Sequence, residues 1–73
     1  MTWEELKEKA KELGYYVVED DGDLSYLDIT EYLVKNDVNI SFCDDGLVET
    51  NYGDIVAENR TPDQMYQIML ALR

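Results

Sequence analysis

The spacing of apolar residues changes along this chain, and the change restricts the fold class more than any other feature. Near both ends, apolar residues recur every three or four positions, as one face of an α-helix requires. In the middle they alternate with polar residues, as a half-buried β-strand requires. The sequence therefore predicts a helix, then strands, then a second helix.

The first predicted helix has clear start and stop signals. Thr2 and Glu5 form a capping box, and Gly14 offers a C-terminal stop, so the helix is predicted over residues 3 to 13. Acidic and basic residues alternate along its polar side, and we interpret that side, including Lys7, as a solvated face with local ion pairs. Its apolar stripe consists of Trp3, Leu6, Ala10 and Leu13.

The second predicted helix begins near residue 62. Thr61 is suited to the N-cap, Pro62 to the first helical position, and Gln64 to the third. The helix should end at about residue 72, because its apolar stripe ends there. That stripe consists of Met65, Ile68, Met69 and Leu72.

The central segment predicts an antiparallel meander. A strand over residues 38 to 43 should lead into a three-residue hairpin loop that ends at Gly46, with glycine in the left-handed position. Residues 47 to 50 form the partner strand, and a further turn leads into a third strand over residues 55 to 58.

Upstream of the meander, residues 15 to 19 are rich in aromatic and β-branched side chains and predict a strand at a sheet edge. Residues 26 to 34 fit a strand, which we prefer, or a short helix around residues 29 to 34. The predicted fold class is α+β: one domain over residues 1 to 73, with an N-terminal helix, a meander of three to five strands and a C-terminal helix. Both helices should pack on one sheet face and leave the other wet.

Charge is segregated along the chain. Residues 12 to 59 contain thirteen carboxylates and one base, Lys35. This segment accounts for the whole net charge of −11 of the 73-residue chain. A field of this sign attracts cationic surfaces and repels nucleic acid and anionic membranes. Acidic composition can serve solubility alone, but a solubilising surface usually mixes both signs.

The residue inventory argues against catalysis, and we predict a protein that is not an enzyme. The chain contains no histidine, so the commonest general base is absent. The four glycines fit turns and caps, and none belongs to a phosphate-binding loop. No cofactor is expected. With no apolar run of about 20 residues and no signal-like N-terminus, the sequence predicts a cytoplasmic protein.

Two features suggest weaker chemical hypotheses. Asp20, Asp21 and Asp23 surround Gly22 and could attract a divalent cation, but the EF-hand spacing fails, so we interpret them as a solvated turn and predict no metal site. Cys43 is the only cysteine, which excludes an intrachain disulfide, and its position on a strand predicts a small buried or half-buried residue.

The six tyrosines divide by their surroundings. Tyr15 or Tyr16, together with Tyr66, is expected in the core, because the first strand and the second helix each need a buried face. Tyr26, Tyr32 and Tyr52 lie among the acidic residues, where an exposed aromatic side chain is typical of an interface anchor. The competing interpretation is a tyrosine that lies flat on the sheet.

The first functional hypothesis is nucleic-acid mimicry, in which carboxylates on the wet sheet face and in the loops occupy a basic groove built for phosphates. The expected partner is a basic nucleic-acid-handling protein, and the protein itself should bind no nucleic acid or membrane. The candidate partner-binding residues are Asp20, Asp21, Asp23, Asp28, Asp37, Asp44, Asp45 and Glu49, with Tyr26 and Tyr52 as the aromatic candidates.

In size, charge and order of elements the chain resembles the small acidic proteins of phages and mobile elements that block host nucleases. Among these are anti-CRISPR proteins that occupy the site where a Cas nuclease reads its DNA motif. The resemblance covers the whole chain but no motif, so it implies only a partner class: a Cas effector or another nuclease in a bacterial host. The order of elements also looks like double-stranded-RNA-binding domains, but the charge has the wrong sign.

The second hypothesis is a protein–protein interaction module, as a monomer, a homodimer or a subunit of a larger assembly. The acids would then only solvate the surface, and a sheet edge or the tyrosines would form the interface.

Overall fold

A computed structural model describes residues 1–19, 25–29, 40–50 and 52–72 of the chain. Within these ranges the chain forms two helices and five strands. Their order is α1 (Trp3–Glu12), β1 (Tyr16–Glu19), β2 (Ser25–Ile29), β3 (Ile40–Cys43), β4 (Val48–Thr50), β5 (Ile55–Ala57) and α2 (Pro62–Ala71).

Helix α1 begins and ends at the predicted signals. The Thr2 hydroxyl oxygen accepts a hydrogen bond from the Glu5 amide at 3.2 Å. At the other end Gly14 has a φ of 94°, and the amides of Gly14 and Tyr15 donate to the carbonyls of Lys11 and Ala10. This Schellman motif satisfies the last carbonyls of the helix and directs the chain into β1.

Helix α2 has a complete capping box. The Gln64 amide donates to the Thr61 hydroxyl at 3.2 Å, and the Thr61 amide donates to the Gln64 side chain at 2.9 Å. Pro62 occupies the first turn, where its missing N–H leaves no helical bond unmade.

The strands form one antiparallel sheet in the order β1-β2-β3-β4-β5, so β1 and β5 lie at its edges. The edge position predicted for the first strand is therefore confirmed, as is strand structure at residues 26 to 29. The predictions for residues 30 to 39 lie outside the described residues.

Both helices pack on the same face of the sheet. Leu6 and Ala10 of α1 and Met65 and Met69 of α2 form one buried cluster with side chains from the sheet. The sheet contributes Leu27, Ile40, Phe42 and Val48. Tyr15 joins this cluster, and its ring packs edge-on against the ring of Phe42 with 5.9 Å between the ring centres. The α+β architecture predicted from the sequence is confirmed. We call the sheet face opposite the helices the outer face.

The β3–β4 hairpin is fixed against the segment that precedes α2. Gly46 has a φ of 82°, the left-handed conformation predicted for it. Its carbonyl accepts a hydrogen bond from the Arg60 amide at 3.0 Å. A Cβ atom at Gly46 would lie 2.4 Å from the Arg60 carbonyl oxygen, so only glycine fits this approach.

A candidate partner-binding surface

The register of the sheet places two predicted carboxylates on the outer face. Asp28 pairs with Ser41, and Ser41 pairs with Glu49, so the three residues form a row across β2, β3 and β4. The flanking residues Leu27, Phe42 and Val48 are buried against the helices. Because side chains alternate along strands, the row from Asp28 to Glu49 must lie on the opposite side.

Ser41 lies between the two acids and forms a hydrogen bond with one of them. Its hydroxyl donates to the Asp28 carboxylate at 2.8 Å, which fixes one anionic group of the row in place. Two strand spacings separate Asp28 from Glu49, which puts their backbones about 10 Å apart. At that separation the two charges still interact at low ionic strength, since the Debye length is about 30 Å at 0.01 M salt.

The row ends in apolar residues at both edges. Tyr16 pairs with Asp28 on β1, and Ile55 pairs with Glu49 on β5. The side chains of Tyr16 and Ile55 are 63% and 58% exposed. The outer face is therefore not uniformly acidic, because exposed apolar side chains border its carboxylates.

A second outer-face row runs beside the first. Val18 pairs with Tyr26, and Tyr26 pairs with Cys43. All three are half-buried. Tyr26 matches the interpretation of a tyrosine lying on the sheet better than that of an exposed anchor, whereas Tyr52, in the turn between β4 and β5, is 72% exposed.

The two hairpin aspartates have different environments. Asp45 is exposed, and its carboxylate accepts a hydrogen bond from the Leu47 amide at 3.1 Å. Asp44 lies 3.2 Å from the ammonium group of Lys7 on α1. Lys7 is only 9% exposed, so its assignment to the solvated face of the first helix was wrong. The Lys7 ammonium brings a positive charge that balances Asp44.

The pKa of Cys43 shows how closely the acids surround β3. Partial burial raises the pKa of this thiol, and the charges of Asp45, Glu49, Asp44 and Asp28 raise it further, in that order of strength. A negative charge close to a thiol disfavours the thiolate. The structure thus brings four of the predicted carboxylates within electrostatic range of one residue.

Two of the lysines of α1 interact with residues of the helices. Lys11 pairs with Glu8 at 3.3 Å, and the Lys9 ammonium lies 5.5 Å from the ring centre of Tyr66. Neither lysine belongs to the sheet, and none of the described strand residues is basic. In the described fold the strands therefore carry acids without bases, whereas α1 carries acids and bases together.

The sequence-based selection missed part of this surface. Tyr16, Ile55 and Val56 are exposed but were not chosen as candidates. The alternation after Tyr15 offered a signal for Tyr16, since one of two adjacent strand residues must face outward. Four predicted acids, Asp20, Asp21, Asp23 and Asp37, lie outside the described residues.

Other site types find no support in the described part of the chain. No group of three or more metal-binding side chains comes together there, and no described helix is long and apolar enough to cross a membrane. No protein-family model, curated protein or solved structure matches this chain.

Proposed function

We propose that this protein binds and inhibits a basic nucleic-acid-handling protein by nucleic-acid mimicry in the cytoplasm of a bacterial host. The observation that carries the proposal is a set of carboxylates on the sheet and its hairpin with no base on the described strands. Asp28, Asp45 and Glu49 lie on the outer face or its hairpin, and no described strand residue is basic.

Such a surface competes with phosphates for a basic groove. A nucleic-acid-binding groove gains much of its affinity from phosphate contacts, so a protein that presents ordered carboxylates can occupy the same cations. The Ser41–Asp28 hydrogen bond fixes one carboxylate before binding, which lowers the entropy lost in the complex. Asp44 is already balanced by Lys7 and contributes less to the external field than Asp45 or Glu49.

The test compares two variants of equal charge. D28N/D45N/E49Q removes three carboxylates from the outer face and its hairpin, and E5Q/E8Q/E12Q removes three from exposed positions on α1. Both change the net charge from −11 to about −8. Asparagine at positions 28 and 45 keeps the acceptor oxygens that Ser41 and Leu47 use, so the local fold should survive.

Each tagged protein is incubated with nuclease-treated bacterial lysate at low salt, and bound proteins are eluted with duplex DNA. Mimicry predicts that DNA displaces a basic nucleic-acid-handling protein, and that the outer-face variant recovers far less of it than the α1 variant. Equal recovery by both variants would show that only overall charge matters. Binding that is indifferent to DNA and salt would reject the proposal.

A second function, a protein–protein interaction module, is favoured by the exposed apolar groups. Tyr16, Ile55 and Val56 are each more than half exposed, whereas apolar side chains of this size are usually buried more completely. A module would bind a neutral partner through these residues and would tolerate both triple variants. The same capture experiment therefore separates the two functions.

A further inference from the structure

Among the described strands, β5 lies at one edge of the sheet. Its neighbour in the sheet is β4, and no other described strand lies beside it. Ile55 and Val56 are 58% and 55% exposed, so the edge presents apolar side chains as well as backbone groups. Exposed edges of this kind accept extended segments from other chains.

A groove lies on the helix side of this edge. Val56 and Ala57 form one wall, and Gln64 and Ile68 of α2 form the other. The groove has a volume of about 420 Å³, which is enough for a large apolar side chain. The register of β5 against β4 shifts at Val56, since Val48 pairs with Ala57 and Glu49 with Ile55. This bulge frees Val56 from cross-strand pairing and lets it line the groove.

The charges that flank β5 argue against a second copy of this chain as the occupant. Asp54 and Glu58 are exposed on either side of the strand. If two copies of β5 paired in antiparallel fashion about Val56, Asp54 of each copy would lie opposite Glu58 of the other. Like charges placed directly opposite destabilise such a pairing, and here the conflict occurs twice.

The same charges define the segment that fits. We propose that the β5 edge binds an extended segment of another protein in which two basic residues flank three apolar residues. The basic residues would lie opposite Asp54 and Glu58, and an apolar side chain would enter the groove beside Val56 and Ile68. Arg60 is exposed at the same groove, so the segment carries no third base where it passes that residue.

A synthetic peptide tests this proposal directly. The probe is a blocked seven-residue peptide of sequence threonine-lysine-valine-leucine-valine-lysine-threonine, which has the same charge pattern in either strand direction. Amide shifts in ¹⁵N-labelled protein should be confined to β5, its flanks and the groove side of α2. A peptide with glutamate in place of both lysines should cause none of these shifts.

Two controls separate strand pairing from simple attraction to an acidic protein. Replacing the central leucine of the peptide by proline keeps both lysines but removes a backbone donor, and should abolish the β5 shifts. In the protein, V56K should weaken binding by at least about tenfold, while Y16K, which adds the same charge at the other edge strand, should leave it within about twofold. Should V56K fail to fold, D54N/E58Q must weaken binding instead.

Equal binding of the proline peptide, or shifts spread over the outer face, would overturn the proposal. Dimerisation of the protein through β5, measured by sedimentation equilibrium, would also overturn it. No nucleic-acid-binding protein takes part in the experiment, so its result does not depend on the proposed function.

Discussion

Replacing Gly46 by alanine should destabilise the protein far more than the same change at Gly53. Both glycines have a left-handed backbone, with φ values of 82° and 84°. An L-alanine in that conformation is strained by about 1–2 kcal/mol, and this penalty applies equally at the two positions. The stabilisation from reduced freedom of the unfolded chain, about 0.4–1 kcal/mol, is also shared.

The surroundings of the two glycines differ. A Cβ atom at Gly53 meets nothing within 4 Å, whereas at Gly46 it would lie 2.4 Å and 2.5 Å from the backbone oxygen and nitrogen of Arg60. Those atoms belong to the backbone, so they can move only if the β3–β4 hairpin separates from the segment that precedes α2. Overpacking of this kind destabilises by about 1–3 kcal/mol, and loss of the Arg60–Gly46 hydrogen bond adds about 1 kcal/mol. G46A should therefore be about 2–4 kcal/mol less stable than G53A.

Urea unfolding followed by the fluorescence of Trp3, which packs against the core, measures this difference. A domain of this size has a total stability near the lower end of about 5–15 kcal/mol, so G46A is expected to be partly unfolded in buffer. Sodium sulfate, which strengthens apolar burial, extends the measurable range for all variants. If the two alanine variants lose the same stability within about 0.5 kcal/mol, Gly46 does not contact the Arg60 backbone closely.

Three further predictions concern charge. D44N should destabilise the protein by about 1–2 kcal/mol, because it leaves Lys7 buried beside a neutral group. Glu4 is the other carboxylate near Lys7, and its side chain is 88% exposed, so E4Q should change the stability by less than about 0.5 kcal/mol. Urea unfolding of both variants compares the two effects. The melting temperature should rise as the salt concentration increases from about 0.01 M to about 0.15 M, since screening relieves repulsion among the acids. A melting temperature that does not change with salt would show that nearby positive charges already neutralise the acids. Iodoacetamide should label Cys43 more slowly at pH 8 than it labels an unstructured cysteine peptide, because the raised pKa lowers the thiolate fraction. Cys43 in D28N/D45N/E49Q should be labelled faster than in the unchanged protein. Equal labelling rates for the peptide, the unchanged protein and the variant would contradict the arrangement of the acids.

The helix ends and the hairpin were predictable because their signals are local. Thr61, Pro62 and Gln64 act within one turn of each other, and Gly46 acts within its own loop. The bounds differ only slightly from the prediction: α1 ends at Glu12 instead of residue 13, and α2 at Ala71 instead of residue 72. Strand β5 covers three of the four residues predicted for it.

The environments of the candidate residues were less predictable because they depend on contacts distant in sequence. The helical pattern alone placed Lys7 on a solvated face, but the β3–β4 hairpin brings Asp44 to it across the fold. Likewise, Ile55 and Val56 have the composition of buried strand residues, and only the sheet order and the bulge show that they are exposed. Sequence can supply the acids of such a surface, but the register decides which of them act together.

The outer-face acids and the β5 edge are adjacent, which has a consequence for binding. Ile55 pairs with Glu49, so the row of Asp28, Ser41 and Glu49 continues to the open edge of the sheet. A strand added beside β5 would extend that row and place one of its apolar side chains next to Ile55, about 10 Å from Glu49. A basic partner that used both surfaces would make its second contact within the same complex, so it would bind each surface more tightly in the presence of the other. V56K and E49Q would then lose less affinity together than the sum of their separate losses, whereas strictly additive losses would show that the two surfaces act independently.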